Sequence, residues 1–328
     1  MKVCVYGAGA VGGHIAARLA EGGADVAVVA RGAQLAAIRG RGLRVVTPER
    51  SMVSRPTASD DPAMLGRQDI VVVAVKAPAL ADVARGIAPL LGPDTPVVLV
   101  MNGIPWWYFH AHGGPLDDRR IDRVDPGGTA WRLIGPERVV GAVAHTACVV
   151  VEPGVVSVAN PRNSIVLGRP DGRDDPRVDA VADCLRDGGI DVTVTARIRD
   201  AIWQKVLMNL VGGALGIVTA SAMGEALAEP AVLAAAERMT DEAVAVAKAL
   251  GCDPGDPRPG LTRLRSSRHR QSILQDLTLG RSMEVDALLA APLDLARLAG
   301  IATPTADLIV GLATRRAIAA GLYQPSSL

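Results

Sequence analysis

The sequence predicts an α/β chain, a doubly wound parallel sheet followed by an all-α second domain, and three observations carry that reading. Residues 2–31, KVCVYGAGAVGGHIAARLAEGGADVAVVAR, read as strand, glycine turn, helix and strand. The runs IVVVAV (70–75) and VVLVM (97–101) are continuously apolar, as strands buried on both faces of a parallel sheet are, and helical patterns at 32–40 and 79–91 alternate with strands. From Asp200 onward the pattern becomes helical throughout: AIWQKVLMNLVGGALGIVTA, PAVLAAAERMTDEAVAVAKAL, SILQDLTL and MEVDALLAAPLDLARLAG. The boundary falls near 196–200, giving domains 1–197 and 198–328.

Gly7, Gly9 and Gly12 occupy the positions of a G-x-G-x-x-G turn that follows a strand and opens a helix, the context of a Rossmann-type dinucleotide site. Gly7 permits the tight turn, Gly9 keeps side chains off a pyrophosphate, and Gly12 lets helix and strand lie close. The segment Gly7, Ala8, Gly9, Ala10, Val11 and Gly12 is therefore the expected phosphate cradle, with the helix N-terminus aimed at the anion. The second strand ends on Ala30 and Arg31, with no carboxylate at that end; Asp25 precedes the strand. An arginine there suits the extra phosphate of NADP, so NADPH/NADP+ is expected over NADH, unless Arg31 is simply one of many solvated arginines.

Further strands are expected at 139–151, near 155–158 and at 164–168, in a far, antiparallel part of a mixed sheet; a helix at about 176–187 and a strand at 190–195 close the first domain. The net charge of +1 gives no field toward nucleic acid or an anionic membrane. The apolar stretches are short and broken by Gly or Pro, so none is expected to span a bilayer; with no signal-peptide pattern, the cytoplasm is the expected compartment. Cys4, Cys148, Cys184 and Cys252 are widely spaced and read as free thiols. His110 and His112 have no third ligand at metal spacing, so no metal is expected. The loop 103–130 holds Trp106, Trp107, Tyr108 and Phe109, which either cover a cleft or partner surface or pin the loop as a local apolar cluster.

In open α/β sheets ligands sit beyond the carboxyl ends of the strands. Gly7–Gly12, Arg31, Lys76 and Asn102 each follow a predicted strand, which places Lys76 and Asn102 at the cofactor edge; capping or turn roles are the alternative. Of 35 basic residues only Lys2, Lys76, Lys205 and Lys248 are lysine. Lys205 and Asn209 share one face of an otherwise apolar helix. Desolvation there would lower the lysine pKa and fit it for general acid chemistry; snorkelling to solvent is the alternative.

With GAGAVGG, VAVKA around Lys76, MNG around Asn102, WQKVLMN around Lys205 and SILQDLTLGRSMEVD from Ser272 to Asp286, the chain resembles the ketopantoate reductase (2-dehydropantoate 2-reductase) family nearly end to end. The resemblance implies NADPH-dependent reduction of a 2-oxo acid, ketopantoate to (R)-pantoate, in pantothenate and coenzyme A biosynthesis. It implies Lys205 as the general acid and Glu284 as the acidic residue that orients it and binds a substrate hydroxyl. It also implies Asn209 and Ser272 as substrate holders, and Asn102 and Lys76 at the nicotinamide end. On a straight helix Ser272 and Glu284 would stand about 18 Å apart. Gly280 followed by Ser282 permits a break and reversal there. For Glu284 alone, a helix N-terminal carboxylate is the plainer reading. Gly213 stands where the family often has a second asparagine, and His269 where it often has another polar donor. A paralogue acting on another 2-oxo acid, and a non-catalytic NADP-binding sensor, therefore stay as alternatives; the apolar helical domain is compatible with a homodimer.

Overall fold

The computed structural model describes residues 1–159, 163–268 and 270–325; His269 lies outside the described residues. Two compact units emerge: 1–101 with 107–120 and 127–198, and 102–106 with 121–126 and 199–328. The expected division at 197/198 therefore misses two short segments, 102–106 and 121–126, that leave the first unit to pack with the second.

The first unit runs β1 (Lys2–Tyr6), α1 (Ala10–Glu21), β2 (Asp25–Val29), α2 (Gly32–Arg41), β3 (Leu43–Val46), β4 (Ser51–Ser54), β5 (Thr57–Ser59), β6 (Ile70–Val73), α3 (Leu80–Gly86), β7 (Val97–Leu99) and α4 (Thr129–Leu133). It continues with β8 (Val139–His145), β9 (Cys148–Glu152), β10 (Val155–Val158), β11 (Ser164–Gly168), α5 (Pro176–Asp187) and β12 (Asp191–Val194). The large sheet has the order β12-β11-β8-β7-β6-β1-β2-β5. β7, β6, β1 and β2 are parallel neighbours, and only β8 with β11 is antiparallel. Val5, flanked by Val28 and Val72, is wholly buried, as the continuous apolar runs require. The chain leaves β1 for β2 on one side and returns to β6 on the other, so the carboxyl ends of β1 and β6 frame a topological switch point.

A second sheet, β4-β3-β10-β9, was not expected. The predicted strand 139–151 is in fact two: β8 ends at His145, and after Thr146–Ala147 the chain changes sheet as β9. The small sheet covers the face of α1 that the large sheet does not; a Cβ at Gly13 would lie 3.0 Å from Val156 Cγ2 and 3.5 Å from Leu43 Cδ1. The predicted helix 79–91 shortens to α3, because Gly86 and Pro89 break it into helical turns.

The aromatic run resolves to the apolar-cluster reading. Trp106, Trp107, Tyr108 and Phe109 are all buried. Tyr108 and Phe109 pack edge to face at 4.9 Å, and a Cβ at Gly141 would meet Trp107 at 2.7 Å. These rings are core residues, not an open lid or partner surface.

The second unit runs α6 (Ile198–Thr219), α7 (Met223–Ala226), α8 (Pro230–Ala249), α9 (Arg258–Ser266), α10 (Ser272–Thr278), a π-helical turn (Asp286–Ala290), α11 (Ala291–Leu298) and α12 (Pro304–Ala319). The π turn precedes Pro292, which has no N–H for the Leu288 carbonyl. Its core gathers Leu210, Val211, Ala214, Ile273, Val285 and Leu289. α6 corrects the expectation about apolar stretches: its glycines do not break it, and it is long and apolar enough to cross a membrane by length and composition. Its apolar window is 72% buried inside the protein, the signature of a core helix.

Sandwiched α1 buries His14 to 1% exposure, and neither ring nitrogen has a hydrogen-bond partner among the described residues. Burial first, and the Arg18 charge second, push its pKa down to about 4 from 6.5. The unfolded chain therefore binds a proton between pH 6.5 and 4 that the native protein refuses. Stability is full above that window and falls as pH drops through it, by on the order of 3 kcal/mol at its lower end. Thermal melts from pH 7 to 4 should show a shallower acid decline for His14→Leu than for the parent; parallel declines would contradict this.

Candidate functional site

In the first unit the cradle is built by backbone sterics. Gly7 has φ +104°, and a Cβ there would lie 2.7 Å from Val75 Cγ1 and 3.0 Å from the Ala74 carbonyl oxygen, so the turn presses on the segment leaving β6. A Cβ at Gly12 would lie 1.9 Å from the Gly7 carbonyl oxygen. Gly9 differs: it is exposed, and a Cβ there would meet nothing within 4 Å. Gly9 is also the N-cap of α1, with no side-chain cap and no acid in the first turn. An open helix N-terminus bordered by Ala8, Ala10 and Val11 is the arrangement that accepts a dinucleotide pyrophosphate, so the residues present fit the cofactor. Gln34, which sequence reasoning missed, braces the cradle: its Nε2 donates to the Ala8 carbonyl at 2.7 Å, and its Oε1 accepts from Gly154 N–H at 2.9 Å. A lone glutamine on a surface helix carries no signal for that role.

Arg31 sits where the sequence put it, beyond β2, as the N-cap of α2. Its guanidinium is exposed and 3.8 Å from Asp82, an ion pair weak enough to exchange for a phosphate. Buried Tyr6 has its pKa raised by burial, with the nearby Arg31 charge opposing. Lys76 is exposed and caps a short helical turn three residues past β6. The carboxyl ends of β1, β2 and β6 thus carry the glycine turn, Arg31 and Lys76 side by side.

In the second unit α6 presents Lys205 and Asn209, both half-buried and one turn apart, between buried Trp203, Val206 and Leu210. Beyond Asn209 come Gly212 and Gly213. A Cβ at Gly212 would lie 3.2 Å from Gln271 Nε2; one at Gly213 would lie 3.2 Å from Ile273 Cγ2 and 3.6 Å from Leu289 Cδ2. Ile273 and Leu289 come from opposite sides of the expected break, so the chain does turn back. The turn has a physical cause: α10 ends with Gly280 at φ +63°, its N–H on the Leu277 carbonyl (3.4 Å), and Arg281 N–H on the Asp276 carbonyl (2.8 Å). Ser272, exposed at the start of α10, and Glu284, buried just before the π turn, therefore lie on two segments that meet on α6. Asn102, half-buried, belongs to this unit as well. Gly103 at φ +84° would drive a Cβ to 2.2 Å from the Ala287 carbonyl oxygen, and Ile104 N–H donates to that same oxygen at 3.0 Å. Asp276, a second buried carboxylate one turn after Ser272, went unnoticed in the sequence. Among the described residues no group of His, Cys, Asp and Glu could hold a metal.

Comparison with known proteins decides the family. Residues 3–172 match the model described as ketopantoate reductase PanE/ApbA, and 197–317 match its C-terminal counterpart. The chain belongs to the ketopantoate reductase family. A curated relative from Mesorhizobium japonicum named 2-dehydropantoate 2-reductase is 40% identical over 329 residues, covering 98% of this chain and 100% of its own. A crystal structure from Ralstonia solanacearum, provisionally named a ketopantoate reductase, superposes with a TM-score of 0.91 at 37% identity, covering 98% of this chain and 99% of its own. A D-mandelate dehydrogenase structure, solved with NADH and anilino(oxo)acetate, shares the fold at 19% identity and a TM-score of 0.82, covering 98% and 100%. This ketopantoate reductase family member is an oxidoreductase that uses a nicotinamide cofactor and acts on a small 2-oxo acid.

Crowded Gly12 and open Gly9 separate packing from ligand binding. Gly12→Ala, forced against the Gly7 carbonyl, should lower the melting temperature. Gly9→Ala, with φ −74° and free space, should melt as the parent does yet bind the reduced dinucleotide at least tenfold more weakly by fluorescence titration. Equal binding by Gly9→Ala and the parent would remove the cradle assignment.

Proposed function

We propose that this protein reduces 2-dehydropantoate to (R)-pantoate with NADPH. The observation that supports this most is the full-length match to the 40% identical relative of that name. When bound, NADPH supplies the hydride to the substrate's C2. Negative charge then grows on the carbonyl oxygen, and the Lys205 ammonium stabilises it and delivers the proton, turning the ketone into an alcohol. A lysine half-buried in α6 is suited to this, because a compact ammonium can both stabilise the growing charge and hand over a proton. Glu284 keeps Lys205 protonated until the transfer and accepts a hydrogen bond from the substrate hydroxyl. Asn209 and Ser272 hold the substrate's polar groups; Asn102 and Lys76 serve the nicotinamide end. Arg31 receives the phosphate that distinguishes NADPH. We place the reaction in the cytoplasm, where the four free cysteines suit a reducing environment.

A second reading, a sibling reductase for another 2-oxo acid, is favoured by one feature. Gly213 offers no amide, and the space beside it is taken by Ile273 and Leu289. Steady-state oxidation of NADPH with a panel of 2-oxo acids distinguishes the two: ketopantoate should give the highest kcat/KM, and a value no better than that for pyruvate would favour the sibling.

Lys205→Ala should lose turnover by at least about 10²-fold while binding NADPH as the parent does; retained turnover would point to a non-catalytic sensor. Arg31→Asp should raise KM for NADPH more than tenfold and leave that for NADH within about twofold. An unchanged NADPH preference would remove Arg31 from the cofactor site.

A further inference from the structure

The segment that carries Glu284 is tied on both sides. Before it, Met283 N–H donates to the Leu322 carbonyl at 3.0 Å. After it, Asp286, the first residue of the π turn, accepts from Tyr323 Oη–H at 2.6 Å and from Arg123 Nη1 at 3.3 Å. Arg123 reaches further, with Nη2 on Asp294 Oδ1 at 3.2 Å and Nε on Asp294 Oδ2. It therefore bridges the start of the π turn to α11, two stretches separated by the whole turn. Arg123 itself lies on 121–126, one of the two short segments that leave the first unit's span, and its side chain is only 15% exposed. A planar fork serving two carboxylates is a task for which lysine is unsuited. Glu284 stands two residues before this turn and is bonded to it, since its carbonyl accepts Leu288 N–H at 3.1 Å.

A π turn carries one residue more than an α turn, and such turns persist only where neighbours hold them. If this one relaxed to α-helical winding, the residues before it would rotate by about 100° around the axis, the angle one residue occupies. Glu284 would swing away from the face it now presents. We propose that Arg123 is a positioning residue for the reaction: by bridging Asp286 and Asp294 it holds the π turn and so fixes the direction of Glu284. This rests on the reading of Glu284 given under Proposed function.

The test compares Arg123→Met, Arg123→Lys and Tyr323→Phe with Glu284→Gln, alone and combined, in the full chain. Arg123→Met should lower kcat by on the order of 10²-fold, the cost of misplacing a group near the reacting atoms. KM for NADPH should stay within twofold. Arg123→Lys should recover only part of the rate, and Tyr323→Phe, which removes one hydrogen bond, should lower kcat by a smaller factor and decides the matter if Arg123→Met does not fold. The double variant Arg123→Met/Glu284→Gln should be no slower than Glu284→Gln alone. Multiplying losses, or a parent-like kcat in both Arg123 variants and Tyr323→Phe, would overturn the positioning role while leaving Glu284 in place. A parent-like kcat for Glu284→Gln would instead overturn the underlying reading and this inference with it.

Discussion

The glycines of α6 set how near α10 and the π turn can come to Asn209 and Lys205. At Gly213 a Cβ would sit 3.2 Å from Ile273 and 3.6 Å from Leu289, so a single position governs the approach of two segments that the sequence separates widely. A side chain there would have to displace both, and protein interiors yield little to such demands. Ser272 and Glu284 can share a neighbourhood only because this face of the helix is bare and because Gly280 turns the chain back toward it. The helical unit's arrangement of polar groups is thus a consequence of where side chains are missing.

The dinucleotide unit uses the same device with a sharper division of labour. Gly7 and Gly12 are demanded by the protein's own backbone, one through a positive φ and one through a Cβ that would strike a carbonyl oxygen. Gly9 answers to neither constraint, since a side chain there would meet open space. Packing accounts for two of the three glycines and leaves the third to be explained by what approaches from outside. α1, meanwhile, is pressed between two sheets, and its buried positions combine the small Gly12, Gly13, Ala16 and Ala17 with Ile15, Leu19 and one awkward histidine.

Legibility in the sequence followed the length and sharpness of each signal. The β1–α1–β2 unit was readable because a strand, a fixed glycine spacing and a helical period coincide within thirty-odd residues. The strands between 43 and 59 were not, because each spans only three or four residues, and β4 and β5 mix polar positions with few apolar ones. The passage from β8 to β9 was hidden because Thr146 and Ala147 interrupt the apolar run too mildly to reveal a change of sheet. Lys205, Asn209, Ser272 and Glu284 could be named from local spacing and resemblance, but the meeting of the Ser272 and Glu284 segments on α6 depends on Gly280, of which the sequence shows only the permission. Gln34, Arg123 and Asp286 were invisible because each acts through a partner distant in the chain: Arg123 is 163 residues from Asp286. No local period encodes such a pairing.

The distribution of basic residues gives the same division a chemical meaning. Arginine serves nearly everywhere in this chain that a positive charge is wanted, including at Arg123, where two carboxylates need a rigid fork. Lys2, Lys76 and Lys248 are exposed, whereas Lys205 is half-buried on α6. A guanidinium placed there would keep its proton at any pH the protein could survive, and its breadth would displace the turns packed beside it. An ammonium is compact and, unlike a guanidinium, can give up its proton and regain it from a neighbouring acid. The proposed chemistry thus needs the one kind of cation that the rest of the molecule largely avoids, at the one position among the four where it is drawn partly out of solvent.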